Sequence, residues 1–228
     1  MPTLSTADHS SSPPAITIPR DYNAAEDLIE RNLAAGRGDK LAYIDDAGSY
    51  TYAELARRVN RCGSALRSVL GLRQEDRVLM CVLDTIEFPT VFLGAIKAGV
   101  VPIAVNTLLT ASDYEYMLSD SRARVAIVSE PLLELFRPLL GKVATLERII
   151  VAGAPESQPD SLAALLREGQ DEFAAAPTVS DEACFWLYSS GSTGAPKGTV
   201  HVHASLIQTA ELYARPIIGI REDDVVFS

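Results

Sequence analysis

Residues 184–198 have the sequence Cys-Phe-Trp-Leu-Tyr-Ser-Ser-Gly-Ser-Thr-Gly-Ala-Pro-Lys-Gly, an apolar run followed by a loop rich in glycine and hydroxyl groups. The apolar run at 184–188 has the length and composition of a buried strand. Glycine lets the backbone approach a ligand closely, and successive free N–H groups in such a loop form a concavity that binds anions. The segment therefore predicts an anion-binding loop, which we expect to follow a strand and precede a helix.

The loop supplies the candidate phosphate-binding residues, namely Ser189, Ser190, Gly191, Ser192, Thr193, Gly194, Lys197 and Gly198. The four hydroxyls can donate to phosphate oxygens, and Lys197 adds a mobile positive charge. A flexible linker is one alternative, but the apolar flanks and the Pro-Lys-Gly ending argue against it. A Walker-type loop is another, and it fails because Pro196 precedes the lysine and Gly198 follows it.

Outward from the loop, short apolar runs alternate with helical patterns along the chain. Strands are predicted at 77–83, 100–105, 125–129 and 149–152, with helices at 87–98, 132–140 and 161–167 and further helices opening at Thr51 and Thr110. Strands joined by crossover helices form largely parallel sheets covered on both faces. The sequence therefore predicts a doubly wound α/β fold with sheets flanked by helices.

The two ends of the chain give weaker patterns. Residues 1–20 are rich in Ser, Thr and Pro without the cationic and apolar parts of a secretory signal, and we expect a flexible tail. A helix is predicted at 203–214 and a strand at 224–228. A lone apolar strand is an unfavourable terminus, so we expect a truncated, N-terminal part of a longer protein; a natural edge strand is the alternative.

Composition restricts the classes of partner and compartment. The net charge of −10 disfavours nucleic acid and anionic membranes as the main partner, yet it allows a local site for ATP. No apolar run reaches transmembrane length. The three cysteines lack metal-ligand spacing and are odd in number, which predicts buried thiols in a reducing cytoplasm. Oligomeric state is not predicted.

Several other side chains could suggest chemistry but have simpler interpretations. His201 and His203 could act as bases, although a capping or surface histidine is the simpler interpretation. Trp186 and Tyr188 could approach an aromatic ligand, but packing of a buried strand is favoured. The acidic run at 222–224 is interpreted as a solvated turn rather than a metal site, and we predict no metal-ligating residues.

The run from Ser190 to Gly198 resembles the signature loop of the adenylate-forming superfamily, which includes acyl-CoA and aryl-CoA ligases, peptide-synthetase adenylation domains and luciferases. With residues 185–189 and the His-Val-His at 201–203, it is most similar to the benzoate-CoA ligase branch. Residues 50–55, 92–102 and 106–109 also resemble segments of this superfamily. The resemblance extends from about Tyr22 to the end of the chain.

The resemblance implies a ligase with two half-reactions: a carboxylate attacks Mg·ATP to give an acyl-adenylate, and CoA then displaces AMP. It implies that Ser190, Ser192 and Thr193 donate hydrogen bonds to the β- and γ-phosphates. Lys197 would be the cationic partner of these phosphates. The glycines would allow the conformation of the loop, namely Gly191, Gly194 and Gly198. An aromatic carboxylate, ATP and CoA are the expected substrates, with Mg²⁺ as cofactor.

The resemblance also implies a domain organisation. We expect the N-terminal part of a large domain, with a first α/β subdomain at 21–180 and the start of a second at 181–228. The small C-terminal domain is expected to be absent, and no catalytic residue is assigned within this chain. A ligase for another carboxylic acid and a non-catalytic folded fragment, binding polyphosphate or a partner weakly, remain the alternatives.

Overall fold

The computed structural model describes residues 4–189 and 194–227 and is built around one six-stranded sheet. Within these described residues the strands are β1 Thr6–Asp8, β2 Ala15–Thr17, β3 Leu41–Asp45, β4 Gly48–Thr51, β5 Arg77–Cys81, β6 Val101–Ala104, β7 Val125–Ser129, β8 Arg148–Ala152, β9 Ala183–Ser189 and β10 Lys197–Val202. The strands predicted around 77, 100, 125, 149 and 184 are thus present, with ends that differ by up to two residues.

The helices lie between these strands. They are α1 Ala24–Ala34, α2 Tyr52–Ser68, α3 Glu87–Lys97, α4 Ala111–Ser121, α5 Leu133–Phe136, α6 Leu162–Glu168 and α7 Ala204–Thr209. The last of them continues as a π-helix, Ala210–Ile218. In the described part of the chain, no helix combines the length and the apolar character that crossing a bilayer would need.

The large sheet has the strand order β10-β9-β6-β5-β7-β8, and only the β9–β10 pair is antiparallel. The chain leaves β5 through α3 to reach β6 on one side, and then passes through α4 to reach β7 on the other side of β5. This reversal of direction defines a doubly wound sheet. The predicted fold class is confirmed.

Side chains of the central strand alternate between two apolar clusters. Val78 and Met80 face the cluster that contains α2, α3 and α6, whereas Leu79 and Cys81 face the cluster that contains α4 and α5. Every residue from Val78 to Cys81 is buried, as expected when helices cover both faces of a parallel sheet. Helices therefore pack on both sides of the strands that support the loop.

Two helices that the sequence predicts to open at Thr51 and Thr110 begin with capping boxes. The Thr51 side chain accepts a hydrogen bond from the Glu54 N–H while the Glu54 carboxylate accepts one from the Thr51 N–H. Thr110 and Asp113 exchange the same pair of bonds at the start of α4. Each box satisfies two backbone donors that the first helical turn leaves free.

The helices α2 and α3 touch through glycine. A Cβ built on Gly94 would lie 2.6 Å from the Cβ of Cys62, and one built on Gly63 would lie 2.9 Å from the Gly94 carbonyl oxygen. Both distances are shorter than real carbon contacts, so the helices approach this closely only because neither position has a side chain. Burial raises the pKa of the Cys62 thiol to about 12, and all three cysteines are buried and free, as the sequence predicts.

The N-terminal segment departs from the flexible tail expected at 1–20. β1 and β2 pair as an antiparallel hairpin, and Ser5 donates through its hydroxyl to the buried Asp27 carboxylate at 2.6 Å. Tyr22 and Arg31 bond to the same carboxylate. Local composition does not reveal this order, because Asp27 holds the segment from a helix farther along the chain.

The secondary structure near the C-terminus also differs from the prediction. The residues after the loop form β10 rather than a helix, because β-branched residues at 199, 200 and 202 favour a strand that pairs with β9. The helix expected at 203–214 begins at Ala204 and continues to Ile218. Residues 224–227 form no strand, and Ser228 lies outside the described residues.

Proline explains the difference at 132–140. Only Leu133–Phe136 is α-helical there, and 3₁₀ turns with Pro131 and Pro138 flank it. Proline lacks the N–H that continues a helical ladder. The predicted domain division between 180 and 181 stays a prediction, although β9 and β10 belong to the same sheet as β5–β8.

We expect Gly94→Ala to lower the free energy of unfolding by about 1–3 kcal/mol, because the added methyl overlaps Cys62 and the overpacking outweighs the better helix propensity of alanine. Urea unfolding followed by circular dichroism measures the change. Gly38→Ala is the matched control, since its Cβ would meet nothing closer than 3.9 Å. Equal stability of the two variants would contradict the close-contact interpretation.

Candidate phosphate-binding loop

The candidate loop lies between two paired strands at the end of β9. Ser189 and Lys197 are opposite each other in the register of β9 and β10, and Tyr188 is opposite Gly198. Residues 190–196 therefore connect the two strands of a hairpin. The predicted phosphate donors Ser190, Ser192 and Thr193 and the predicted conformational residue Gly191 lie outside the described residues.

The described candidates have the properties that a ligand loop needs. Ser189 and Lys197 are exposed, and among the described residues no carboxylate lies within ion-pairing distance of Lys197. Gly194 has φ of 149°, where a side chain would be strained. The lysine charge is therefore available to an anion at the mouth of the hairpin.

Gly198 is closely covered by aromatic side chains. A Cβ on Gly198 would lie 3.3 Å from Trp186 Cε3 and 3.5 Å from Tyr188 Cζ. The two aromatic rings therefore pack directly over the backbone at this position. This arrangement fixes the strand that carries Lys197 against the strand that carries Ser189.

Trp186 and Tyr188 follow the packing interpretation more closely than the aromatic-ligand one. Tyr188 packs against the cluster around α4, and its hydroxyl donates to the Asp120 carboxylate at 2.6 Å. Burial, together with this carboxylate, raises the pKa of the Tyr188 phenol. The Nε1 of half-buried Trp186 is enclosed and has no acceptor in the described part of the chain.

The two histidines after the loop have structural partners. His201 stacks on Phe185 with ring centroids 4.6 Å apart. His203 is buried, contrary to a surface position, and its Nδ1 accepts from the Ala24 N–H at 3.1 Å. Ala24 is the first residue of α1, so His203 acts as a cap for a helix distant in sequence. Burial lowers the pKa of His203 to about 4.

The acidic run at 222–224 is part of an ion-pair network. Glu222 accepts bonds from Arg37 and Lys40, and these two cations lower its pKa to about 2. Asp224 accepts from the Arg221 N–H within its own turn. These contacts agree with the interpretation as a solvated turn.

Two open cavities lie at different places along the sheet. A groove of about 460 Å³ runs beside β10 and α7, with His201 and Tyr213 in its lining. A larger one, about 700 Å³, lies against β8 at the opposite edge of the sheet. The groove beside β10 therefore lies along the strand that carries Lys197, but its lining begins at His201, at the end of β10 away from the candidate loop.

Comparison with known proteins gives one family over most of the chain. The family described as AMP-binding enzyme matches residues 30–228. The chain is 73% identical over 228 residues to a benzoate–CoA ligase of Thauera aromatica, covering 100% of this chain and 43% of that protein.

Solved structures agree with this match. A benzoate CoA ligase from Burkholderia xenovorans LB400 has a TM-score of 0.79 at 45% identity, covering 90% of this chain and 40% of its own. The anthranilate CoA ligase AuaEII in complex with anthranoyl-AMP has a TM-score of 0.84 at 36% identity, with 91% and 40% covered. The chain thus spans less than half the length of these relatives.

We expect acidification to destabilise the fold through His203. Its folded pKa lies below the unfolded value of 6.5, so the unfolded chain binds the extra proton first. The contribution of the neutral ring is complete above pH 6.5 and falls as pH drops toward 4, by up to about 3 kcal/mol. Urea unfolding between pH 7.5 and 4.5 measures this dependence.

His203→Asn is the matched variant, because an amide oxygen can accept the Ala24 N–H without titrating. Its unfolding free energy should change less with pH over this window than that of the unsubstituted chain. Parallel pH profiles for the two proteins would show that His203 does not titrate as described.

Proposed function

The chain belongs to the AMP-binding enzyme family, and from this premise we propose that it is part of an AMP-forming aryl-acid CoA ligase of the benzoate type. The observation that carries the proposal is its match, over the whole chain, to a benzoate–CoA ligase. Because the chain spans 43% of that relative, the activity is proposed for a protein of the relatives' length.

The proposed reaction begins with attack of an aromatic carboxylate on the α-phosphorus of ATP. The acyl-adenylate forms and pyrophosphate leaves; CoA thiol then adds to the acyl carbon, AMP leaves, and the thiol proton is released. The work of the loop in this scheme is positioning and charge stabilisation. AuaEII, whose structure contains anthranoyl-AMP, supports an aryl-adenylate intermediate by analogy.

We assign the loop residues to the β- and γ-phosphates. Lys197 would place its charge near these phosphates, since it is exposed and has no ion pair among the described residues. Ser190, Ser192 and Thr193 would donate hydrogen bonds from their hydroxyl groups. Ser189 lies at the end of β9, where the loop begins. The pairing of Ser189 with Lys197 supports this assignment, because it places both sides of the loop at one end of the sheet.

Mg²⁺ enters the proposal with ATP, whose phosphate charge it partly neutralises when bound. Across residues 4–189 and 194–227, no group of three or more His, Cys, Asp or Glu side chains could hold a metal. We therefore assign no residue of this part of the chain to the metal. ATP and CoA are proposed as substrates.

We further propose a cytoplasmic enzyme that activates aromatic acids for degradation. Three free, buried thiols suit a reducing compartment. A CoA thioester makes the acyl carbon more reactive than the free carboxylate, which is the usual need before an aromatic acid is broken down. The division into subdomains at 21–180 and from 181 onward also remains part of the proposal.

The substrate class is tested with the protein at the relatives' full length. Benzoate, ATP and CoA should give benzoyl-CoA and AMP in equal amounts, measured by chromatography. Hexanoate and phenylalanine serve as competing acid classes. Use of either one without use of benzoate would make the aryl assignment wrong while leaving adenylate formation intact.

A second experiment addresses the alternative of a non-catalytic fragment. The 228-residue chain alone is assayed for benzoate-dependent exchange of pyrophosphate into ATP. Robust exchange would exclude that alternative. Exchange by the full-length protein alone would support a site that this chain completes only in part.

We expect Lys197→Ala, in the full-length protein, to slow pyrophosphate exchange about 10²-fold, the usual cost of removing one charge-stabilising donor. Thioester formation from preformed benzoyl-adenylate should change less than about threefold, because pyrophosphate has already left. Isotope exchange between pyrophosphate and ATP measures the first effect, and rapid-quench measurement of thioester formation gives the second. Lys142→Ala is the matched control, since Lys142 pairs with Glu115 on the α4 side; equal losses in both steps would contradict the assigned role.

A further inference from the structure

The last two residues of β9 lack a neighbouring strand on one side. β6 pairs with β9 only at Ile103–Trp186 and Ala104–Leu187. Tyr188 and Ser189 therefore project beyond the β6 ladder, and the strand pairing that the described residues give them is with β10. On the β6 side, the residues that lead into the candidate loop are therefore positioned by contacts other than strand pairing.

The Tyr188 side chain provides this hold. Its hydroxyl donates to Asp120 Oδ2 at 2.6 Å and lies 3.4 Å from the Met117 carbonyl oxygen. A short bond from a neutral hydroxyl to a carboxylate is stronger than a bond between two neutral groups. The tip of β9 is thus tied to the last turn of α4.

The helix α4 is itself fixed to the core. Tyr114, Met117 and Leu118 are buried in the apolar cluster on that face of the sheet. The Tyr114 hydroxyl donates to the Asn106 carbonyl oxygen at 2.9 Å. The Asp120 carboxylate therefore projects from a rigid support rather than from a loop.

Asp120 occupies a position that does not favour a carboxylate. It lies at the C-terminal end of α4, where the helix dipole is negative, and the last turn has no basic residue. A negative charge here weakens the helix unless another group compensates. At this position the structure gives Asp120 a hydrogen bond from the Tyr188 hydroxyl.

If the Tyr188 side chain were displaced, the other strand of the hairpin, β10, would also be affected. Its ring lies over Gly198, where an added Cβ would come within 3.5 Å of it. Gly198 follows Lys197 directly. A shift of the ring would therefore displace the strand that carries the lysine.

We propose that Asp120, acting through Tyr188, is a positioning residue for the phosphate loop and sets its affinity for Mg·ATP. The inference rests on the proposed function of the loop as the ATP site. Asp120 touches neither ATP nor the reacting atoms in this arrangement. It fixes the end of β9, from which the loop extends to make its contacts with ATP.

The test is a double-mutant cycle in the full-length protein, with Tyr188→Phe, Asp120→Ala and the pair. We expect each single variant to raise KM for ATP about tenfold, as misplaced binding groups do, with KM for benzoate and for CoA within twofold. The double variant should match the single variants, because both remove one interaction. Asp120→Asn, which keeps a neutral acceptor, should raise KM for ATP only about threefold.

Glu134→Gln is the matched control, since Glu134 is an exposed carboxylate on α5 with one surface ion pair. The assays are run at a temperature well below the unfolding midpoint of each variant, so that a change in KM does not arise from partial unfolding. Unchanged KM for ATP, a parallel rise of all three KM values, or multiplicative effects in the double variant would each overturn the proposal.

Failure of the proposed function gives a different result. If the unsubstituted protein makes no benzoyl-CoA, the substrate proposal fails, and the inference is then judged by calorimetric binding of Mg·ATP. A tenfold weaker Kd in Tyr188→Phe and Asp120→Ala would still support it. An unchanged Kd, or no ATP binding by the unsubstituted protein, would overturn it.

Discussion

The parallel pairing of β9 with β6 determines where the candidate loop lies. Two residue pairs, Ile103–Trp186 and Ala104–Leu187, join segments far apart in the chain. They bring the end of β9 to the carboxyl edge of the parallel strands, the edge at which ligands bind in open α/β sheets. β10 depends on the same pairing, because its partner in the sheet is β9.

The two faces of the sheet contribute differently to this arrangement. On one face, α2 and α3 approach each other through Gly63 and Gly94 and make a dense, apolar support. On the other face, α4 presents a carboxylate that reaches the strand end through Tyr188. Apolar packing therefore fixes the layers, and a polar contact holds the end of β9, from which the candidate loop begins.

Local patterns in the sequence predict the buried strands, the doubly wound fold and the helix starts at Thr51 and Thr110, because each depends on neighbouring residues. The loop is also recognisable locally. β10 is missed because its strand character depends on pairing with β9. The capping interpretation of His203 is correct, but the helix that it caps could not be foreseen, because its partner Ala24 is 179 residues away. Asp120 gives no signal at all in the sequence, since its importance comes from the distant Tyr188.

The order of strands in the sheet has a consequence for biosynthesis. The neighbours of β9 in the parallel sheet precede it in the chain, and β10 is added last, at one edge. Domains fold as they emerge during synthesis, N-terminal parts first. A ribosome-bound chain can therefore form the two apolar clusters around β5 before Lys197 meets Ser189. The two sides of the candidate loop come together only after the supporting scaffold exists.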